Sequence, residues 1–154
     1  MSDIYIDADA CPVKEHTFRV AKRYGLKVFV VSNSSIVVPA AEWIEAVVVG
    51  SAFDAVDDWI EGKVTEDDIV ITNDLLLTAR CLKKGARVMN PRGKVYTDEN
   101  IGDALSTREL MSELRQRGVL DLGPTKMGKN HRSSFLSALD QEINAAMKKK
   151  RERR

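Results

Sequence analysis

Cysteine is scarce in this sequence, and long apolar runs are missing. Its two cysteines, Cys11 and Cys81, stand far apart among 154 residues, so the sequence indicates neither a disulfide framework nor a zinc-binding pattern. No apolar run approaches the ~20 residues of a membrane-spanning helix, and the first residues lack the charged and apolar regions of a signal peptide. We therefore expect a cytoplasmic protein with no membrane partner.

The remaining composition is that of a globular protein. With 154 residues and 44% hydrophobic content, the chain is long enough for one domain with a core and too short to favour two. We assign this single domain to residues 1–147. Residues 148–154 contain six Lys or Arg and one Glu, and this density of like charge predicts a basic, disordered tail.

The net charge of +1 conceals an uneven distribution. Residues 1–77 contain 14 Asp or Glu and 6 Lys or Arg, a net charge of −8, whereas residues 78–154 contain 9 and 18, a net charge of +9. Charges often do no more than solvate helix faces. This polarity nevertheless fits an acidic cation-binding centre beside a basic surface for a polyanion.

Short apolar runs alternate with amphipathic segments along the chain. The runs, which we predict to be strands, are residues 4–6, 27–31, 46–49, 69–72 and 87–89, and we expect the first, second and fourth of them to be buried. Helices are expected from about residue 12 to 24, from 54, from 75 to 85 and from 97 to 117. A last helix is expected over the apolar repeat Leu136, Leu139, Ile143 and Met147. The alternation predicts a three-layer α/β fold around a mainly parallel sheet of about five strands, ordered 3-2-1-4-5.

Acidic residues follow three of these strands. Asp7 and Asp9 end the first run, Asp74 follows the fourth, and Asp54, Asp57 and Asp58 follow the third. Each has a structural alternative, because Asp9 and Asp74 are placed to cap helices and Asp54 with Asp57 resembles a capping box. Two carboxylates one residue apart, however, repel each other unless a cation or a proton lies between them. The pair therefore favours a metal site or a shared-proton site.

The predicted strand order makes the first and fourth strands neighbours, so Asp7 and Asp74 are expected to face each other where ligands bind to such sheets. Oxygen ligands without His or thiolate favour Mg²⁺ or Mn²⁺, which commonly bind substrate phosphates as well. We predict Asp7, Asp9 and Asp74 as catalytic residues and metal ligands, joined by Asp54 or Asp58. Phosphodiester hydrolysis is the reaction that fits these groups.

Basic residues supply candidates for binding phosphate. They are Lys14, Arg92, Lys94, His131 and Arg132. Arg92 lies in the predicted turn 90–93, and the last two lie in a polar stretch, residues 121–132, that we expect to be a mobile loop. Exposed Lys and Arg more often only interact with solvent.

The same motifs resemble a known family. They are residues 6–14, 53–60, 68–74 and 90–101, and they are similar to the YaiI/YqxD family of bacterial proteins over nearly the whole chain. One departure is Asn73-Asp74-Leu75-Leu76-Leu77-Thr78, where the family pattern is nearer Ala-Asp-Ile-Pro-Leu-Ala; Asp74 is kept. The family is largely uncharacterised and is grouped with PIN-like and NYN-type metal-dependent ribonucleases. The resemblance implies a PIN-like fold and nuclease activity on RNA.

Two other interpretations remain open. Asp7-x-Asp9 after a strand is also typical of haloacid-dehalogenase-type phosphatases, in which Asp7 would be the covalent nucleophile and Asp9 the acid/base. Against this, Cys11 replaces the usual Thr or Val and no cap insertion is visible. The third interpretation is a nucleic-acid-binding protein without catalytic activity.

Overall fold

The computed structural model describes residues 2–8, 13–118 and 129–153. These residues form six strands and five helices. The strands are β1 (Ile4–Asp7), β2 (Val28–Ser32), β3 (Ile44–Val48), β4 (Ile69–Ile71), β5 (Arg87–Met89) and β6 (Val95–Tyr96). The helices are α1 (Lys14–Tyr24), α2 (Ala55–Lys63), α3 (Leu75–Lys83), α4 (Ile101–Gln116) and α5 (Lys129–Glu152).

The strands form one sheet with the order β3-β2-β1-β4-β5-β6. The first five are parallel, and the predicted order of those five is confirmed. The sixth strand was not predicted. It is only two residues long, and it pairs antiparallel with β5 across the predicted turn at Asn90. The sheet reverses its winding direction between β1 and β4, which places the carboxyl ends of those two strands side by side.

Helices cover both faces of the sheet, as predicted for three layers. Ile4 and Ile6 of β1 point to the face covered by α1 and α5, where Phe135 and Leu139 are fully buried. Tyr5 points to the opposite face, which α2 and α3 cover. Because side chains alternate along a strand, Asp7 follows Tyr5 onto the α2/α3 face.

Two helices differ from the sequence prediction. The apolar spacing of Ile101, Ala104, Leu105, Met111 and Leu114 favours a core-facing helix, but these residues of α4 are only half-buried, because α4 packs beside α3. The second difference is α5, which contains His131 and Arg132 in its first turn, where a loop was predicted. Residues 121–128, the rest of that predicted loop, lie outside the described residues.

The prediction of a disordered tail is also wrong, because α5 continues to Glu152 and Arg153 is in contact with the domain. Arg153 forms a short ion pair with Asp67, and its Nη1 lies 3.6 Å from Glu66 Oε1. Both acids precede β4, so the tail lies at the amino ends of the strands. The fold thus places acidic side chains beside the basic tail, and they compensate its like charges.

Within the described residues, no helix is both long and apolar enough to cross a membrane.

Candidate functional site: a carboxylate cleft at the strand ends

Asp7 and Thr72 meet at the carboxyl ends of β1 and β4. Asp7 is only 8% exposed, and its Oδ2 accepts a hydrogen bond of 2.8 Å from the Thr72 hydroxyl. The Thr72 oxygen in turn accepts a hydrogen bond of 3.0 Å from the Asp74 backbone N–H. Thr72 therefore links the two residues that the sequence predicted to lie together, a role that the sequence analysis missed.

Asp74 caps α3. Its Oδ1 accepts hydrogen bonds from the backbone N–H groups of Leu76 (2.9 Å) and Leu77 (3.2 Å). The structural alternative considered for this residue is thus observed for one of its two carboxylate oxygens. Capping also fixes the direction of the side chain, so Asp74 lines the cleft beside Asp7.

The acidic residues of α2 are divided between the cleft and the surface. Asp54, at the N-cap position, makes no side-chain capping bond, and both Asp54 and Asp57 line the cleft. Among the described residues that line the cleft, Asp58 is absent. Its Oδ1 lies 2.6 Å from Arg80 Nη2, and two thirds of its side chain is exposed. The structure therefore places Asp57 where the sequence analysis had placed Asp58.

We call the cavity formed by these residues the carboxylate cleft; its volume is about 470 Å³. Its polar lining comes from three strand ends and from α2 and α4. The lining residues are Asp7, Asn33, Ala52, Phe53, Asp54, Val56, Asp57, Asn73, Asp74, Leu76 and Arg108. Four carboxylates and two carboxamides thus share one cleft at the sheet edge where parallel α/β folds bind ligands.

The carboxylates are close enough to affect one another. Burial, followed by the negative charges of Asp74 and Asp7, raises the pKa of Asp57 to about 6, and Asp54 adds to this while Arg80 opposes it. Like charges held together in a partly buried site disfavour the ionised form. Above about pH 6 the cleft therefore holds negative charge that destabilises the folded protein.

Asp57→Asn is expected to stabilise the metal-free protein at about pH 7.5, by about 1 kcal/mol after allowance for solvent screening. A carboxyl group with a raised pKa favours folding below its unfolded value of about 3.9, and this contribution is lost as the pH rises through about 6. The gain should therefore shrink toward zero near pH 4. Urea unfolding at both pH values measures it.

Asp58→Asn is the control, since it makes the same chemical change on the neighbouring residue outside the cleft. Equal effects of the two substitutions at about pH 7.5 would contradict the repulsion described for Asp57.

Arg108 is the cation of the cleft, and the sequence analysis missed it. It lines both the carboxylate cleft and an adjoining cavity of about 580 Å³, which we call the α4 groove. The α4 groove is lined by Leu75, Lys94, Tyr96, Asn100, Asp103, Ala104, Thr107, Arg108, Met111, Ser112 and Arg115. Arg108 therefore marks the point where the two cavities meet.

Of the five predicted phosphate-binding residues, Lys94 lines the α4 groove, with its Nζ 5.4 Å from the centre of the Tyr96 ring. Lys14 begins α1, and Arg92 is exposed in the turn after β5. His131 and Arg132 lie in the first turn of α5. None of these five residues is among the described residues that line the carboxylate cleft.

The predicted metal ligands are only partly brought together. Over residues 2–8, 13–118 and 129–153, no group of three or more His, Cys, Asp or Glu side chains is arranged so as to hold a metal ion. Asp9, a predicted ligand and the acid/base of the phosphatase alternative, lies outside the described residues, as does Cys11. The described residues of the cleft supply carboxylate and carboxamide oxygens, which suit a cation, but these residues are not arranged so as to hold one.

Comparisons with known proteins agree on one family. The model of a family described as "Uncharacterized BCR, YaiI/YqxD family" matches residues 5–145. A UPF0178 protein of Rhodospirillum centenum is 50% identical over 149 residues, covering 94% of this chain and 97% of the relative. One of Gluconacetobacter diazotrophicus is 48% identical over 143 residues, covering 93% of each. No solved structure matches significantly, so the PIN-like relationship stays a prediction. The chain belongs to the YaiI/YqxD family.

Proposed function

We propose that this protein hydrolyses phosphodiester bonds in RNA with the help of Mg²⁺ or Mn²⁺ bound at the carboxylate cleft. The observation that carries the proposal is the convergence of Asp7, Asp57 and Asp74 from three different elements, where burial and then the repulsion from Asp74 and Asp7 raise the pKa of Asp57 to about 6. Such repulsion costs stability and is relieved by a bound cation.

The donors of the cleft favour a hard cation. Carboxylate and carboxamide oxygens are the ligands that Mg²⁺ and Mn²⁺ prefer, and the cleft offers no thiolate or imidazole among its described residues. Because Asp74 Oδ1 accepts the capping bonds, we assign its Oδ2 to the cation. The described carboxylates do not by themselves form a metal site, and the predicted ligand Asp9 lies outside the described residues.

The chain's own groups have distinct tasks in this proposal. The cation would activate water and neutralise charge at the phosphorus. Thr72 holds the Asp7 carboxylate by its hydroxyl, and Arg108 binds a neighbouring phosphate at the opening toward the α4 groove. The acidic lining of the cleft would retain the cation, while Arg108 and the basic residues of the α4 groove supply the charges that bind phosphate.

The test is cleavage of a labelled RNA by the metal-stripped protein, measured in EDTA and after addition of Mg²⁺ or Mn²⁺. We expect cleavage that depends on the cation and stops when EDTA is added in excess. Cleavage that is unaffected by EDTA, or no cleavage with either metal, would contradict the proposal. Acyl-phosphate formation on Asp7 would instead support the phosphatase alternative.

A further inference from the structure

Phe53 is a solvent-exposed aromatic residue at the edge of the carboxylate cleft. It lies just before α2, its side chain is fully exposed (101%), and it lines the cleft. Leu76, on the α3 side of the same cleft, is 53% exposed. Exposing large apolar side chains is unfavourable, and exposed apolar groups grouped at a cleft mark a binding surface.

Cationic groups extend from the other side of the same cleft. Arg108 lines both cavities, and Lys94 and Arg115 line the α4 groove, where Asp103 is the acidic residue. Arg108 and Arg115 are seven residues apart on α4, which places them on one face about 10 Å from each other. The α4 groove thus offers a row of positive charges that begins at the carboxylates.

We propose that Phe53 is a base-stacking site and that Arg108, Arg115 and Lys94 form the phosphate track of one nucleic-acid strand that crosses the carboxylate cleft. Aromatic faces and a cationic groove are the two elements with which proteins bind single strands without sequence preference. A duplex keeps its bases stacked inside and presents no base face to Phe53. The substrate class is therefore an unpaired strand, which is RNA under the proposed function.

This inference rests on the proposed function for the position of the cleft, but it is tested by binding alone. The probe is a fluorescently labelled single-stranded RNA of about 12 nucleotides, compared in EDTA and low salt with a fully paired hairpin of the same length, closed by a linker without bases. The variants are Phe53→Ala, Phe53→Trp and Arg108→Gln. Val37→Ala is the control, because Val37 is 98% exposed and lies outside both cavities as described.

We expect the wild type to bind the single strand more tightly than the hairpin. Phe53→Ala should weaken that binding roughly 5- to 100-fold, whereas Phe53→Trp and Val37→Ala should leave it nearly unchanged. Arg108→Gln should also weaken it and reduce the slope of log K against log salt by about 1.

Equal affinity for hairpin and single strand, no binding of either, or no effect of Phe53→Ala would overturn the inference. If Phe53→Ala changes the association state of the protein in sedimentation but leaves RNA binding unchanged, Phe53 is a protein contact. That result would overturn the inference as well. The two proposals fail separately. Cleavage that is independent of Phe53 and acts on duplexes refutes this inference alone, whereas Phe53-dependent binding without cleavage refutes only the nuclease proposal.

Discussion

Asp7→Asn is expected to reduce metal-dependent RNA cleavage by about 100-fold or more. Asp7 ends β1, lies at the base of the carboxylate cleft and contributes charge to it. Substitutions in the outer shell of metal sites already cost about 10- to 100-fold, so loss of a charged ligand should cost at least as much. Initial cleavage rates at saturating Mn²⁺ measure the effect.

The substitution should not unfold the protein. Asparagine keeps a side-chain oxygen that accepts the Thr72 hydroxyl bond, and it removes one of the repelling charges. Asp58→Asn is again the matched control and should retain nearly full activity, because Asp58 is paired with Arg80 outside the cleft. If Asp7→Asn keeps full activity while folded, Asp7 is not part of the site.

Gly93→Ala is expected to destabilise the fold by about 3 kcal/mol or more. Gly93 has a φ of +94°, and an added Cβ would lie 2.6 Å from the backbone carbon and oxygen of Ser134 in α5. Left-handed backbone strain in a non-glycine residue and overpacking each cost about 1–3 kcal/mol. Urea unfolding of both proteins measures the loss.

Gly25→Ala separates the two causes. Gly25 ends α1 with a φ of +69°, but an added Cβ there would meet nothing within 4 Å. This variant should therefore show backbone strain alone, about 1 kcal/mol. Equal losses for both variants would mean that the turn after β5 does not pack against α5 as described.

The sheet was largely predictable because its signals are local. Most of the strands are short apolar runs rich in β-branched residues and followed by polar or turn-forming residues, and the rule for parallel crossovers then limits the strand order. The position of Asp7 followed from the same reasoning. Its partner Thr72 did not, since a threonine at a strand end is equally compatible with packing alone.

The choice between Asp57 and Asp58 depends on helix phase. Residues on a helix are separated by about 100°, so Asp58 lies about 200° from the buried Val56 and nearly opposite the core, whereas Asp57 lies at the boundary. The apolar spacing of Val56 and Ile60 contained this information. Both acids also suit the first turn of a helix, so residue type alone does not separate them.

The direction of Arg108 and the position of the α5 terminus depend on contacts between residues that are distant in sequence. The apolar residues of α4 are half-buried beside α3 rather than in the core, so the direction of Arg108 follows from packing against α3. In the same way, Arg153 meets Asp67 across 86 positions of sequence. Local patterns contain no trace of either contact.

The most direct test of the central claim is a calorimetric Mn²⁺ titration of the metal-stripped wild type and Asp74→Asn. Asparagine caps helices about as well as aspartate, so stability should stay within roughly 0.5 kcal/mol while the charge at the cleft is lost. We predict that the wild type binds Mn²⁺ at millimolar concentration or below and that Asp74→Asn binds it at least about tenfold more weakly. Equal binding by both proteins, or by neither at millimolar Mn²⁺, would contradict a metal site at the carboxylate cleft.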